Sequence, residues 1–202
     1  MPVTTGSSQH RRIRGLAAAG VAMGLLAGCA TDVRGEAAAA TTLHDWRNAT
    51  YSVTCDGIVP DGFPATLTDG AAWVSADPSR PPYYDHYEIG FETSASGDVD
   101  GDGDRDVVVL LQCSPQPSNG ILEEAQVFTA DGDRLGVLPS PRMLREESIL
   151  APLYDPAGLT VEGGDIVAAM TAYGPEDSHA SGPSVPITVR WHWDGRQFVR
   201  VE

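Results

Sequence analysis

The sequence predicts an all-β protein: a single antiparallel domain of about ten strands in hairpins, arranged as a sandwich or a curved meander. Three observations predict it. Apolar residues recur with period two and not 3.6. The periodic segments are separated by Asp-Gly and Gly-Gly pairs, which tolerate the positive φ of tight hairpin turns. The chain is rich in turn formers, with 22 Gly and 15 Pro in 202 residues, and only residues 43–47 and 142–147 read as short helices.

The elements follow in order. Residues 50–55 alternate and end on Cys55. Residues 65–68 and 71–74 flank Asp69-Gly70 and read as a hairpin. Residues 87–93 form the next strand, and residues 106–113 carry the apolar run 107–111 and end on Cys113. Residues 125–130 and 134–138 flank Asp131-Gly132, and residues 159–162 and 165–171 flank Gly163-Gly164. The clearest alternation is residues 187–193, with Ile187, Val189, Trp191 and Trp193 on one face and Thr188, Arg190 and His192 on the other. Asp194-Gly195 then leads into residues 197–201 through a turn expected to be of the primed type. Trp73, Trp191, Trp193 and Phe198 are the expected aromatic core; a carbohydrate-stacking platform is the other role such rings serve.

The domain is expected to span residues 43–202, because the first 42 residues read differently. Arg11, Arg12 and Arg14 precede an apolar run over residues 16–26, which falls short of the roughly 20 residues needed to span a bilayer. Leu26-Ala27-Gly28-Cys29 follows and resembles the lipobox of bacterial lipoproteins. That resemblance implies that residues 1–28 are a cleaved signal peptide and that the Cys29 thiol takes a diacylglyceryl group. Two acyl chains give stable anchoring where one does not. Residues 29–42 are then the lipidated cysteine and a small, polar, aperiodic tether. The expected location is the extracytoplasmic face of the cell membrane.

Charge narrows the partners. All 13 basic residues are arginine, and residues 1–28 hold three of them and no acid, so residues 29–202 carry 10 Arg against 28 Asp and Glu, a formal charge of −18. Such a surface repels phosphate backbones and anionic head groups. Nucleic acid is therefore excluded as a partner, and attachment to a membrane falls to the covalent anchor. Once Cys29 is set aside, Cys55 and Cys113 remain, and outside the cytoplasm two leftover cysteines pair. Neither belongs to a CxxC motif or has a histidine close in sequence, which disfavours a metal or nucleophile role.

The chemistry concentrates in Asp98-Val99-Asp100-Gly101-Asp102-Gly103-Asp104-Arg105-Asp106. Carboxylates at loop positions 1, 3, 5 and 9 can converge, Gly103 permits a sharp turn, and Asp104 at position 7 offers its carbonyl. These are hard oxygen ligands of the kind Ca²⁺ prefers. Position 12 is Val109 and not Glu, and the flanking elements are strands, so the loop is no EF-hand. It resembles the calcium loops of FG-GAP and VCBS-type repeats. That likeness implies Asp98, Asp100, Asp102 and Asp106 as side-chain ligands and Asp104 as a carbonyl ligand. The physical case is independent of it: like charges near 4 Å repel by about 1 kcal/mol even in water, and a divalent cation turns that repulsion into attraction. The expected affinity is weak, on the order of 10⁻⁴–10⁻³ M, as in extracellular modules. Lipobox, tether, this loop running into a Val-rich strand, and the terminal Trp-His-Trp-Asp-Gly hairpin together resemble secreted lipoproteins of actinobacteria.

No catalytic residue is assigned. The chain lacks G-x-S-x-G, H-E-x-x-H and a Gly-rich phosphate loop on a helix. The expectation is a non-enzymatic, calcium-stabilised binding domain for an envelope protein or glycan. The alternative is a cell-envelope hydrolase that uses carboxylates or His179, whose loop also holds Asp177 and Ser178.

Overall fold

Strands dominate the chain, and every pairing between them is antiparallel. The structure, a computed structural model, describes residues 44–144 and 150–201. The predicted signal peptide, Cys29, the tether and residues 145–147 of the second predicted helix lie outside the described residues. The strands are β1 (Thr50–Val53), β2 (Phe63–Thr66), β3 (Ala71–Ser75), β4 (His86–Gly97), β5 (Asp106–Gln116), β6 (Leu122–Phe128), β7 (Arg134–Val137), β8 (Leu153–Glu162), β9 (Asp165–Ala172), β10 (Val185–Trp193) and β11 (Phe198–Arg200). The helical expectations reduce to 3-10 turns at Trp46–Asn48 and Pro141–Leu144.

Three sheets result: a two-stranded ribbon β1-β2, a five-stranded sheet β3-β4-β5-β6-β7 and a four-stranded sheet β11-β10-β9-β8. Two apolar cores lie between them. Val108 and Leu110 of β5 and Ala125 and Val127 of β6 bury against Ile166, Ala168 and Met170 of β9 and Val189 and Trp191 of β10. The opposite face of β5, with Val109, Leu111 and Cys113, buries against Tyr51, Val53, Ala65 and Leu67 of the ribbon segment. The unbroken apolar run of β5 thus reflects a strand covered on both faces.

A bulge in β4 sets up the site. The register with β5 shifts between Phe91 and Thr93. Before the shift, Tyr87, Ile89 and Phe91 face the ribbon core; after it, Ala95 packs into the core shared with the four-stranded sheet. An extra residue in one strand inverts which parity faces inward. The far end of the β4-β5 hairpin is thereby turned toward the β8-β9 turn. The contact is close at Gly97, where a Cβ would lie 2.6 Å from Val161 Cγ1.

The turn chemistry holds in part. Gly163 and Gly164 both have positive φ, and Glu162 pairs with Asp165 around them, as a primed two-residue turn requires. At Asp194-Gly195 only the glycine is left-handed; Asp194 instead accepts the amides of Arg196 and Gln197 and closes a longer loop. The expected hairpin around Asp69-Gly70 does turn, with both residues at positive φ, but it is held by the single bridge Thr68–Ala71. Here β2 pairs with β1, and β3 pairs with β4. Pro64 offers no amide to a ladder, which suits the edge strand that β2 is. Trp191 and Phe198 are buried and Trp193 packs at the core margin, whereas Trp73 is 60% exposed and lies tilted against His86 with ring centroids 4.8 Å apart. Trp73 is therefore not a core residue.

The two free cysteines of the domain form a disulfide, Cys55–Cys113, with Cα atoms 5.4 Å apart. It ties the end of β1 to β5 and sits inside the ribbon core. Cys55, Asp56 and Gly57 all have positive φ, so the bridge fixes a left-handed segment that two non-glycine residues would otherwise leave.

Candidate metal centre

The acidic loop is the tip of the β4-β5 hairpin, and Asp106 is the residue that roots it. Asp106 opens β5 opposite Gly97, and its side chain is fully buried. Its Oδ2 accepts the amides of Val99 at 2.8 Å and Asp100 at 3.2 Å, while its Oδ1 is buried with no hydrogen-bond partner. Unpartnered buried oxygens are rare in folded proteins, and each calls for a physical reason. Burial pushes the Asp106 carboxyl above the usual carboxylate range; the charges of Asp100 and Asp102 add to this and the two amide bonds oppose it.

The rest of the loop is wound by its own carboxylates. Asp98 accepts the amides of Gly101 at 2.8 Å and Gly103 at 3.2 Å, Asp100 accepts that of Asp102 at 3.1 Å, and Asp102 accepts that of Asp104 at 2.8 Å. Gly101 and Gly103 take the positive φ that this winding needs. One oxygen each from Asp98, Asp100 and Asp106 lie within 4.8 Å of one another. The structure therefore brings together three of the five expected ligand residues. The carboxylates of Asp102 and Asp104 stand outside that cluster, Asp104 having been assigned only its carbonyl. Three hard anionic oxygens around a shared centre, one of them from a buried residue, fit Ca²⁺ by charge and by donor type.

Beside the loop runs an open groove of about 600 Å³, bordered by Asp98, Asp100, Val161, the Gly163-Gly164 turn, His192 and Trp193. His192 is held by Asp165, with Nδ1 to Oδ1 at 2.9 Å. His192 and Trp193 are the aromatic residues of the lining.

The His179 loop does not assemble a catalytic group. Asp177 spends its Oδ2 on the amides of Gly174 and Ser184 and on the Ser184 hydroxyl, and Ser178 and Ser181 bond to each other. His179 is exposed and borders a largely apolar groove with Leu122, Leu153 and Tyr173.

A second cluster of ionisable groups was not expected. A cleft of about 190 Å³ is lined by Asp56, Glu123, Glu124, Tyr154, Ser140 and the prolines Pro139 and Pro141. Glu124 accepts the amide and hydroxyl of Thr54 at 2.9 and 2.5 Å and the amide of Gln126's side chain at 2.6 Å. Glu123, on the other face of β6, accepts the amide of Tyr154 at 2.8 Å, and burial pushes its carboxyl up to about 7. Asp56 pairs with Arg142 at 3.0 Å and is likewise raised by burial, against the lowering effect of Ser140 and Arg142. The sequence signal was the pair Glu123-Glu124 inside a strand that is apolar on both sides: with period two, the two must point to opposite faces, and both faces are covered.

No family model, curated protein or solved structure matches this chain.

Proposed function

We infer that the chain is a secreted lipoprotein, held through Cys29 at the outer face of the cell membrane, whose β domain is a non-enzymatic binding module stabilised by calcium. The observation that carries the calcium reading is the fully buried Asp106, with one oxygen bonded to nothing and the carboxylates of Asp98 and Asp100 beside it. Without a cation these groups combine a desolvation cost with mutual repulsion. With one, the hairpin tip becomes a rigid edge of the groove that runs to Trp193. An envelope protein or a glycan is the partner class proposed for that groove, since an aromatic wall and an acidic rim offer both stacking and hydrogen-bond acceptors.

The export reading rests on the arginines, the short apolar run and the lipobox-like residues ending in Cys29. The Cys55–Cys113 disulfide supports it, because such bridges persist in oxidising compartments. Calorimetric titration of calcium into the chain tests the metal reading. Saturable heat on the order of 10⁻⁴–10⁻³ M supports it, and no heat up to several times that range overturns it. Membrane fractionation of the Cys29→Ser variant tests the anchor: the wild type should sediment with membranes and the variant should not.

A further inference from the structure

We propose that the cleft between Asp56, Glu123 and Tyr154 is a second ligand site, separate from the acidic loop, which takes a primary ammonium group carried on a short alkyl chain. Geometry carries this. Tyr154 is 6% exposed and lines the cleft, and its hydroxyl has no hydrogen-bond partner. A buried hydroxyl left unbonded is a rare feature that a bound group would remove. Glu123 uses Oε2 for the Tyr154 amide, and its Oε1 bonds to no other described residue. Among the described residues, the Tyr154 amide is the donor that bonds Glu123, and no donor bonds the Tyr154 hydroxyl that borders the same cleft.

Charge selects the sign of the ligand. Asp56, Glu123 and Glu124 line the cleft, and Arg142, bound to Asp56, is the cation that answers them. Among the described residues, Glu124 is bonded by the neutral donors of Thr54, Asp56 and Gln126. An anion would meet uncompensated carboxylate, whereas a cation is drawn in. Spacing then selects the kind of cation. Among the described residues only Asp98, Asp100 and Asp106 gather three ligand oxygens within 4.8 Å, so the cleft lacks the convergence a metal ion demands. An ammonium group carries three divergent donors and suits acceptors set further apart. Leu138, Pro139 and Pro141 supply an apolar wall for the alkyl chain. The volume of about 190 Å³ is that of roughly six waters, enough for a chain of four or five heavy atoms. A free alkylamine and a lysine side chain present this same chemistry.

The test is an NMR titration of the full chain with n-butylammonium chloride, with n-butanol and tetramethylammonium as controls. Saturable shifts confined to residues 54–57, 122–125, 137–141 and 154, absent with both controls, are expected. Glu123→Gln, which keeps an acceptor for the Tyr154 amide, should weaken binding about tenfold. Tyr154→Phe should weaken it as well, yet leave the melting temperature unchanged or higher, because the hydroxyl bonds to no protein group. This second variant decides the matter should Glu123→Gln fail to fold. Around Glu123 stand Asp56 with its partner Arg142, Glu92, Glu124 and Tyr154; as its carboxyl ionises, affinity should rise about tenfold from pH 6 to pH 8. A lysine-bearing tripeptide compared with its acetyllysine form identifies a polypeptide source if it binds more tightly than the free amine. The proposal is overturned if butanol gives the same shifts, if no saturation occurs, if the shifts map elsewhere, or if Tyr154→Phe lowers the melting temperature.

Discussion

Asp106→Asn separates the structural from the metal-binding role of the residue at the root of the acidic loop. Its Oδ2 holds the amides of Val99 and Asp100, and a carboxamide oxygen can hold both. Its Oδ1 bonds to nothing, and the Asn substitution places a donor there, in the residue that clusters with the carboxylates of Asp98 and Asp100. The metal-free variant should therefore be as stable as the wild type or more so, since a fully buried charge has been removed. In 10 mM calcium the two should part. With a dissociation constant on the order of 10⁻⁴–10⁻³ M, a ligand at roughly 10–100 times that value stabilises the folded state by about 1.4–2.7 kcal/mol. For a domain of this size that amounts to a rise of about 3–10 °C in Tm. Thermal unfolding by circular dichroism, in EDTA and in calcium, should show this rise for the wild type and none for Asp106→Asn. A variant that keeps the calcium shift would refute the reasoning. So would a variant that melts several degrees lower in both buffers, because the carboxylate would then serve the fold itself.

Three further outcomes follow from the same structure. Replacing Cys55 and Cys113 together by Ser opens a loop with a sequence separation of 58 and should cost about 4 kcal/mol in urea unfolding; a loss under about 1 kcal/mol would mean that packing alone holds the left-handed segment. Glu123 has a folded-state carboxyl raised from 4.5 to about 7, so its contribution to stability is fully present below pH 4.5 and is lost as pH rises through 7. The wild type should lose stability over that window relative to Glu123→Gln, and equal pH profiles would contradict this. Trp191→Ala should cost about 3–5 kcal/mol, since its side chain is 1% exposed. Trp73→Ala should stay within about 0.5 kcal/mol because that ring is 60% exposed, and equal losses at the two positions would show the layering to be wrong.

What the sequence made legible was whatever is decided locally. Gly163-Gly164 reads as a tight turn and is one, because positive φ at two successive residues is a property of the residues themselves. The alternation of residues 187–193 correctly placed Val189 and Trp191 on the buried face. Layering was not legible. Period two tells which residues share a face but not which face is covered, and Trp73 was assigned to a core that its strand presents through Ala72 and Val74 instead. Pairing was not legible either: Asp69-Gly70 announces a turn, yet the strands on its two sides belong to different sheets, β2 pairing with β1 and β3 with β4. The acidic loop was visible as a motif. That Asp106 is the buried member, and that Asp102 and Asp104 stand apart from the cluster, is set by tertiary packing and by the winding of the loop, which the motif's spacing does not encode. The Asp56–Glu123–Tyr154 cleft draws on segments about 100 residues apart in the chain, a distance over which spacing carries no signal.

The crowded carboxylates at the β4-β5 tip are proposed to hold one cation. Anomalous diffraction from crystals grown in calcium tests it most directly. The account predicts a single peak about 2.3–2.6 Å from oxygens of Asp98, Asp100 and Asp106, with the Asp106 Oδ1 among them. A map with no peak there, and with that oxygen bonded to water or to another protein group, would contradict it.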